Sequence, residues 1–161
     1  MSERPPAGPP DFPRGTFRID REGAWRHEGQ EVTHPGVVEN LYANLRVEGE
    51  THYLQVGPVR IPVEVDDAPF VVTRVEPVTD SATGGEWLRV HLSDGSSERL
   101  DLDSVWIGAR EAPYCRVKGG RFVARLSVAA WLQLAPLVEE DPEGRSVLRV
   151  GARRVPLPRR G

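Results

Sequence analysis

Two adjacent carboxylates, Asp66 and Asp67, are the side chains of this sequence best placed to do chemistry. They follow the run Val59 to Val65, in which alternating apolar residues predict a strand with one buried face. Neighbouring carboxylates raise each other's pKa and can bind a cation or serve as general acid and base. The same position before Pro69 is typical of a turn in which an aspartate accepts hydrogen bonds from backbone N–H groups. Two carboxylates supply too few ligands for a metal ion, so the sequence favours the turn and predicts no bound metal and no cofactor.

Four further residues complete the predicted ligand-binding set, namely Trp25, His27, Phe70 and Arg125. Trp25 lies in an early predicted hairpin, at the place that Phe122 takes in a later one. Two aromatic side chains in equivalent positions either stack on a ligand or fill a core, and large aromatics more often fill cores.

An enzymatic alternative places His27 beside Asp66 or Asp67 as the acid–base pair of a small hydrolase or lyase. The sequence contains no serine nucleophile elbow, Walker A motif, Rossmann glycine fingerprint or HExxH motif. His27, His34 and His52 also lack the helical spacing of common metal sites, which favours surface or hydrogen-bonding roles. These features favour a non-enzymatic protein.

Trp87 indicates a different kind of binding. A predicted strand alternates Leu88, Val90 and Leu92 with Trp87, Arg89 and His91. A tryptophan exposed on the polar face would indicate a partner surface and a structural adaptor, whereas a neighbouring lobe would simply cover it.

A ten-residue repeat carries the prediction of the fold. Residues 54–63 return as residues 148–157, 94 positions later, with five identities, and a short hairpin and an apolar-striped helix precede both copies. We therefore expect an α+β fold of two repeated hairpin–helix–hairpin units with antiparallel, curved sheets, and ligands often bind at the seam of such units. The predicted parts are a disordered proline-rich tail (residues 1–15), an N-terminal α+β lobe (16–75) and a C-terminal α+β lobe that includes the linking strands (76–161).

The composition limits the partners. A formal charge of −3 at pH 7 and an isoelectric point near 5.8 argue against nucleic-acid and anionic-membrane binding. No stretch reaches the about 18 apolar residues of a membrane helix, and no apolar leader is present, which predicts a cytoplasmic protein.

Cys115 is the single cysteine, which excludes an intramolecular disulfide and predicts a buried, inert thiol. The oligomeric state is not indicated by the sequence.

Several short motifs follow one another along the chain: Gly23-x-Trp25-x-His27-x-Gly29, His34-Pro35-Gly36-Val37-Val38, Val65-Asp66-Asp67-Ala68-Pro69-Phe70, Val117-Lys118-Gly119-Gly120 and Ala124-Arg125-Leu126. In these motifs the sequence resembles the bacterial DUF1285 family, over roughly residues 16–157. The resemblance implies two lobes with a repeated α+β motif; the family has no established activity, and small-ligand sensing or signalling has been suggested for it. Residues 103–107 (DSVWI) stand where members carry an acidic residue followed by His-Pro-Leu, so a role of that histidine does not carry over.

The sequence thus predicts an uncharacterised bacterial protein that works as a non-enzymatic binding module. We expect it to sense a small ligand or a protein partner, in signalling, with no nucleic-acid and no membrane partner.

Overall fold

The computed structural model describes residues 16–160. The chain forms two compact units, of which the first ends at Asp67 and the second begins at Ala68. The predicted division after residue 75 would cut through a strand of the second unit, Phe70–Thr79. This strand pairs only with later strands of the chain, which explains why it belongs to the second unit. The predicted disordered tail, residues 1–15, lies outside the described residues.

Unit 1 consists of one helix and one six-stranded sheet. Its elements are β1 (Phe17–Ile19), β2 (Trp25–His27), β3 (Gln30–Glu31), α1 (Pro35–Asn44), β4 (Leu45–Glu48), β5 (Thr51–Val56) and β6 (Val59–Val65). The strand order is β3-β2-β1-β6-β5-β4. All neighbours are antiparallel except β1 and β6, which run parallel.

Unit 2 contains a second six-stranded sheet, a short helix and a three-stranded sheet. Its elements are β7 (Phe70–Thr79), β8 (Glu86–Leu92), β9 (Ser97–Arg99), β10 (Trp106–Ile107), β11 (Pro113–Val117), β12 (Phe122–Leu126), α2 (Val128–Leu134), β13 (Val138–Glu140), β14 (Ser146–Val150) and β15 (Arg153–Pro156), with short 3-10 helices at Leu102–Ser104, Ala109–Glu111 and Ala135–Leu137. The larger sheet has the order β10-β11-β12-β7-β8-β9, with β12 and β7 parallel. The smaller sheet is the antiparallel series β13-β14-β15.

Helix α1 is capped by His34. The Nδ1 atom of His34 accepts hydrogen bonds from the backbone N–H groups of Gly36 (3.1 Å) and Val37 (3.4 Å). Pro35 occupies the first helical position, where its missing N–H has no cost. An imidazole nitrogen thus takes the role of the hydroxyl or carboxylate acceptor that is usual at a helix N-terminus.

The alternation predicted for β8 is confirmed. Leu88, Val90 and Leu92 are buried, and Trp87, Arg89 and His91 lie on the opposite, partly exposed face. Because the strand period is two residues, one buried face is enough to assign both faces.

The α+β class is confirmed, but the sheets are mixed where antiparallel sheets were expected, because each six-stranded sheet contains one parallel pair. The repeated segments form the hairpins β5–β6 and β14–β15, which turn at Gly57 and Gly151 with φ of 58° in both. Strand β6 belongs to a six-stranded sheet and β15 to a three-stranded one. The repeated unit and the curvature of the sheets therefore stay predictions.

Within residues 16–160, no helix is both long enough and apolar enough to cross a membrane.

Candidate functional site

Asp66 is part of an ion-pair cluster in unit 1. The guanidinium group of Arg18 donates hydrogen bonds to Asp66 and to Glu64. The parallel register of β1 and β6 places Arg18 opposite Glu64, which brings the three side chains onto one face of the sheet. The hydrogen bond to Asp66, followed by the charges of Asp66 and Glu64, raises the pKa of Arg18 above its ordinary value. Asp66 therefore binds an arginine of its own sheet.

His27 lies on the other face of that sheet. It pairs with Phe17 across β1 and β2, and its imidazole stacks on the Phe17 ring with centroids 4.7 Å apart. Phe17 is buried, while its neighbour Arg18 points away from it toward Asp66. The geometry contradicts an acid–base pair of His27 and Asp66, since neighbouring strand residues face opposite sides.

Trp25 is a core residue, with 1% of its surface exposed. Its ring makes edge contacts with Phe17 (centroids 6.5 Å apart) and Tyr42 (5.3 Å). The indole Nε1 is buried and has no hydrogen-bond acceptor among the described residues. Burial against these two rings is the packing of a core residue, and the predicted contact of Trp25 with a ligand stays a prediction.

Phe70 and Arg125 belong to unit 2, whereas Asp67 is the last residue of unit 1. Phe70 is 2% exposed and packs against Phe122 with ring centroids 5.1 Å apart, so it too is a core residue. Arg125 is half-buried in β12, and Asp67 is half-buried after β6. Phe70, like Trp25, is thus buried in a core, and the ligand-binding role of the six predicted residues stays a prediction.

A second polar cluster surrounds Lys118, the single lysine of the chain. Its Nζ atom lies 2.8 Å from Asp94 and 2.8 Å from the Ser96 hydroxyl, and its backbone N–H donates to the Glu98 carboxylate (3.1 Å). Burial alone would raise the pKa of Asp94, but hydrogen bonds from Lys118 and Ser96 outweigh burial and hold that pKa below its usual value. The cluster joins the β11–β12 turn to the β8–β9 turn, which is a structural role.

The most distinctive exposed arrangement lies on the outer face of strands β7, β8 and β9. Cross-strand pairing places Glu76, Arg89 and Arg99 in one row across the three strands. The next rows on this face add Trp87, Arg74 and His91. We call these six residues the tryptophan–arginine face: Arg74, Glu76, Trp87, Arg89, His91 and Arg99.

Two guanidinium groups lie close to the Trp87 ring on this face. The Cζ atoms of Arg89 and Arg99 are 5.2 Å and 5.4 Å from the centroid of its ring. Distances below about 6 Å allow a cation–π attraction. The indole ring therefore attracts both guanidinium groups.

Glu76 neutralises part of the charge. It accepts hydrogen bonds from His91 (2.8 Å), Arg89 (3.2 Å) and Arg74 (3.3 Å). The hydrogen bond from His91, then that from Arg89, lowers the pKa of Glu76. Three arginines thus face one glutamate, and among residues 16–160 Arg99 forms no ion pair with a carboxylate.

The sequence predicts part of this face. Alternation along β8 identifies Trp87, Arg89 and His91, but it does not reveal Arg99, which comes from the next strand. The missing signal is the register of the β8–β9 hairpin, in which Arg89 lies opposite Arg99. Counting outward from the Asp94-Gly95 turn, with Leu92 bonded to Ser96, would have found it.

Comparison with known proteins gives the family. No family model and no curated protein matches the chain. A crystal structure of a DUF1285 family protein from Silicibacter pomeroyi DSS-3 is similar, with 26% identity, a TM-score of 0.70, and coverage of 96% of this chain and 89% of that one. The chain belongs to the DUF1285 family. A DUF1285 protein from Shewanella baltica OS155 shares the fold at 16% identity and a TM-score of 0.62, over 76% of this chain and 91% of that one.

The motifs that indicated DUF1285 membership lie where elements of this chain begin, end or turn. His34 caps α1, and Lys118-Gly119-Gly120 forms the turn between β11 and β12. The segment from Val65 to Phe70 joins the end of β6 to the start of β7. In this DUF1285 protein the motifs thus lie at helix caps, turns and connections between strands. None of the residues of the tryptophan–arginine face belongs to them.

Proposed function

We propose that this DUF1285 protein is a non-enzymatic binding protein that recognises a negatively charged partner through the tryptophan–arginine face. The observation that carries the proposal is the position of Arg99. It lies opposite Arg89, beside Trp87, and without a carboxylate partner among the described residues. The signalling role that the sequence predicts would be exercised through this partner.

The charges of this face favour an anionic partner. Like charges directly opposite each other on neighbouring strands destabilise a sheet by a few tenths of a kcal/mol to about 1 kcal/mol. Each exposed cation–π contact contributes about 0.5–1 kcal/mol, which offsets the repulsion without removing the surplus charge. A carboxylate placed beside Arg99 would compensate its charge, because arginine binds carboxylates with two parallel hydrogen bonds.

Trp87 adds an apolar surface to the charged one. It is partly exposed, and its ring is already oriented by the two guanidinium groups. Tryptophan and arginine are the side chains most often found to dominate binding interfaces. Their combination on the exposed face of a sheet suits a protein segment better than a small ligand, which needs a concave site.

Binding fits this face better than catalysis. His91 and Glu76 form an acid–base type pair at 2.8 Å, and Ser97 lies opposite His91 on β9. No hydrogen bond joins the Ser97 side chain to His91 in the described part of the chain, so the arrangement lacks the activated nucleophile of a catalytic triad. The pair instead fixes Glu76 between the arginines.

The proposal is tested by calorimetric titration of the full chain with poly-L-glutamate at low salt. Arg99→Gln should weaken binding about tenfold, the usual effect of losing one charge-assisted hydrogen bond. The matched control is Arg145→Gln, which removes an exposed arginine from the β13–β14 turn of the same unit. Equal affinity of the Arg99→Gln and Arg145→Gln proteins, or no binding by the unmodified protein, would overturn the proposal.

A further inference from the structure

Strand β9 is an unpaired end of the larger sheet of unit 2. In the order β10-β11-β12-β7-β8-β9 it has β8 on one side and no strand of the described chain on the other. The Leu100 N–H donates to the Leu88 carbonyl and the Leu92 N–H to the Ser96 carbonyl, both at 2.8 Å. Since antiparallel bonding alternates, Ser97 and Arg99 direct their backbone N–H and C=O groups away from β8.

The opposite end of the same sheet is covered by the chain itself. The Ile107 N–H donates to the Pro158 carbonyl, and the Arg160 N–H donates to the Ile107 carbonyl, both at 2.8 Å. The C-terminal segment therefore lies along β10 as a short parallel bridge. It is held there by the ion pair of Arg159 with Glu111 and by Arg160 over the Trp106 ring (5.1 Å). Of the two edge strands of this sheet, β9 is therefore the one with which no further segment of the described chain pairs, and this edge is open to a partner.

The side chains of β9 alternate between the two faces of the sheet. Ser97 and Arg99 are exposed, and their side chains lie on the tryptophan–arginine face. Glu98 points to the other face, where its carboxylate accepts from the Lys118 N–H. The residues whose backbone groups face the open edge are thus the residues whose side chains border the positive face.

We infer that the partner is an acidic polypeptide segment that adds to β9 as a further, extended strand. This inference rests on the proposed function and names the form of the partner. Strand addition supplies backbone hydrogen bonds at Ser97 and Arg99, and it sets a carboxylate directly opposite Arg99. The next side chain of the segment on the same face would lie two residues further along, toward either Ser97 or the Trp87 end of the face.

The test uses a capped peptide in which glutamate alternates with valine, titrated into the full chain by calorimetry. Two derivatives carry N-methyl groups on one or the other set of alternate residues, which removes the N–H donors of one strand edge at a time. One derivative should lose affinity about tenfold or more, because its missing donors are those that face β9. The other should stay within about twofold of the parent peptide, because its methyl groups lie on the outer edge.

A protein variant gives an independent check. Ser97→Pro removes an outward N–H without removing a bond to β8, and proline is tolerated at such edge positions. It should weaken binding of the parent peptide about tenfold, whereas the matched Ser97→Thr protein should bind normally. Amide resonances of β8 and β9 report whether the Ser97→Pro sheet is intact.

The outcomes separate the two proposals. Equal binding of both methylated peptides, together with normal poly-L-glutamate binding, would overturn strand addition and leave the proposed function standing. Failure of both the parent peptide and poly-L-glutamate to bind would overturn the proposed function and this inference with it.

Discussion

Arg89 and Arg99 lie directly opposite each other on β8 and β9, and both guanidinium groups face the same indole ring, that of Trp87. A folded chain gains nothing from such a pair by itself, since the two charges repel. Glu76 compensates one of them through its hydrogen bond with Arg89. The remaining charge on Arg99 is the feature from which the binding surface is inferred.

Removal of that charge should leave the fold unharmed. Arg99→Gln is expected to change the free energy of unfolding by no more than about 0.5 kcal/mol, because Arg99 is exposed and forms no ion pair in the described chain. Urea denaturation followed by circular dichroism measures the change. A loss of several kcal/mol would show that Arg99 has a structural role and would weaken its assignment to binding.

The stability of the protein should depend on pH through His52. Burial lowers the pKa of His52, and the opposing hydrogen bond with the backbone at Glu50 only partly compensates. The unfolded chain therefore binds a proton near pH 6.5 that the folded chain binds only at lower pH, so stability falls as the pH falls below about 6.5. Urea denaturation at pH 7.5 and pH 5.5 should show this loss.

His52→Gln serves as the control for that loss and should reduce it. Carboxylates with lowered pKa values, such as Asp94, contribute in the same direction, but only near and below pH 4. An unchanged slope between pH 7.5 and 5.5 in His52→Gln would contradict the assignment.

Cys115 should be unreactive in the folded protein. Its side chain is fully buried, and burial raises the pKa of the thiol to about 12, so the thiolate is scarce at neutral pH. A chromogenic disulfide reagent at pH 8 should titrate no thiol in the native protein and one thiol per chain in guanidinium chloride. Rapid labelling of the native protein would mean that β11 opens readily.

Gly108 should tolerate no side chain. A Cβ atom at this position would lie 2.6 Å and 2.9 Å from two ring atoms of Tyr114, which is stacked on Trp106. Gly108→Ala is expected to lower the free energy of unfolding by about 1–3 kcal/mol, the usual cost of overpacking. At Gly85 the added Cβ would meet only the flexible Thr83 hydroxyl at 3.2 Å, so Gly85→Ala is the control and should cost less. Equal stability of the two variants would contradict the expected clash.

Local sequence patterns are enough to predict features that depend on a single strand. The alternation of Leu88, Val90 and Leu92 is enough to assign both faces of β8. Burial of the Cys115 thiol was also predicted correctly, since it lies in a strand-like apolar run.

Pairings between distant segments could not be predicted in this way. The parallel contact of β1 with β6 joins residues 46 positions apart, Phe17 and Val63, and no local pattern encodes it. That pairing brings Arg18 to Asp66, one of the two carboxylates predicted as partners of His27. The same holds for Trp25, whose burial depends on Tyr42 from the helix.

The most direct test of the binding surface is a ¹⁵N–¹H spectrum of the four tryptophan indole groups during titration with poly-L-glutamate. Trp87→Phe assigns the Trp87 resonance. The account predicts that this resonance moves progressively with added poly-L-glutamate, while the resonance of the buried Trp25 stays in place. A stationary Trp87 resonance at saturating poly-L-glutamate would contradict the tryptophan–arginine face as the site of recognition.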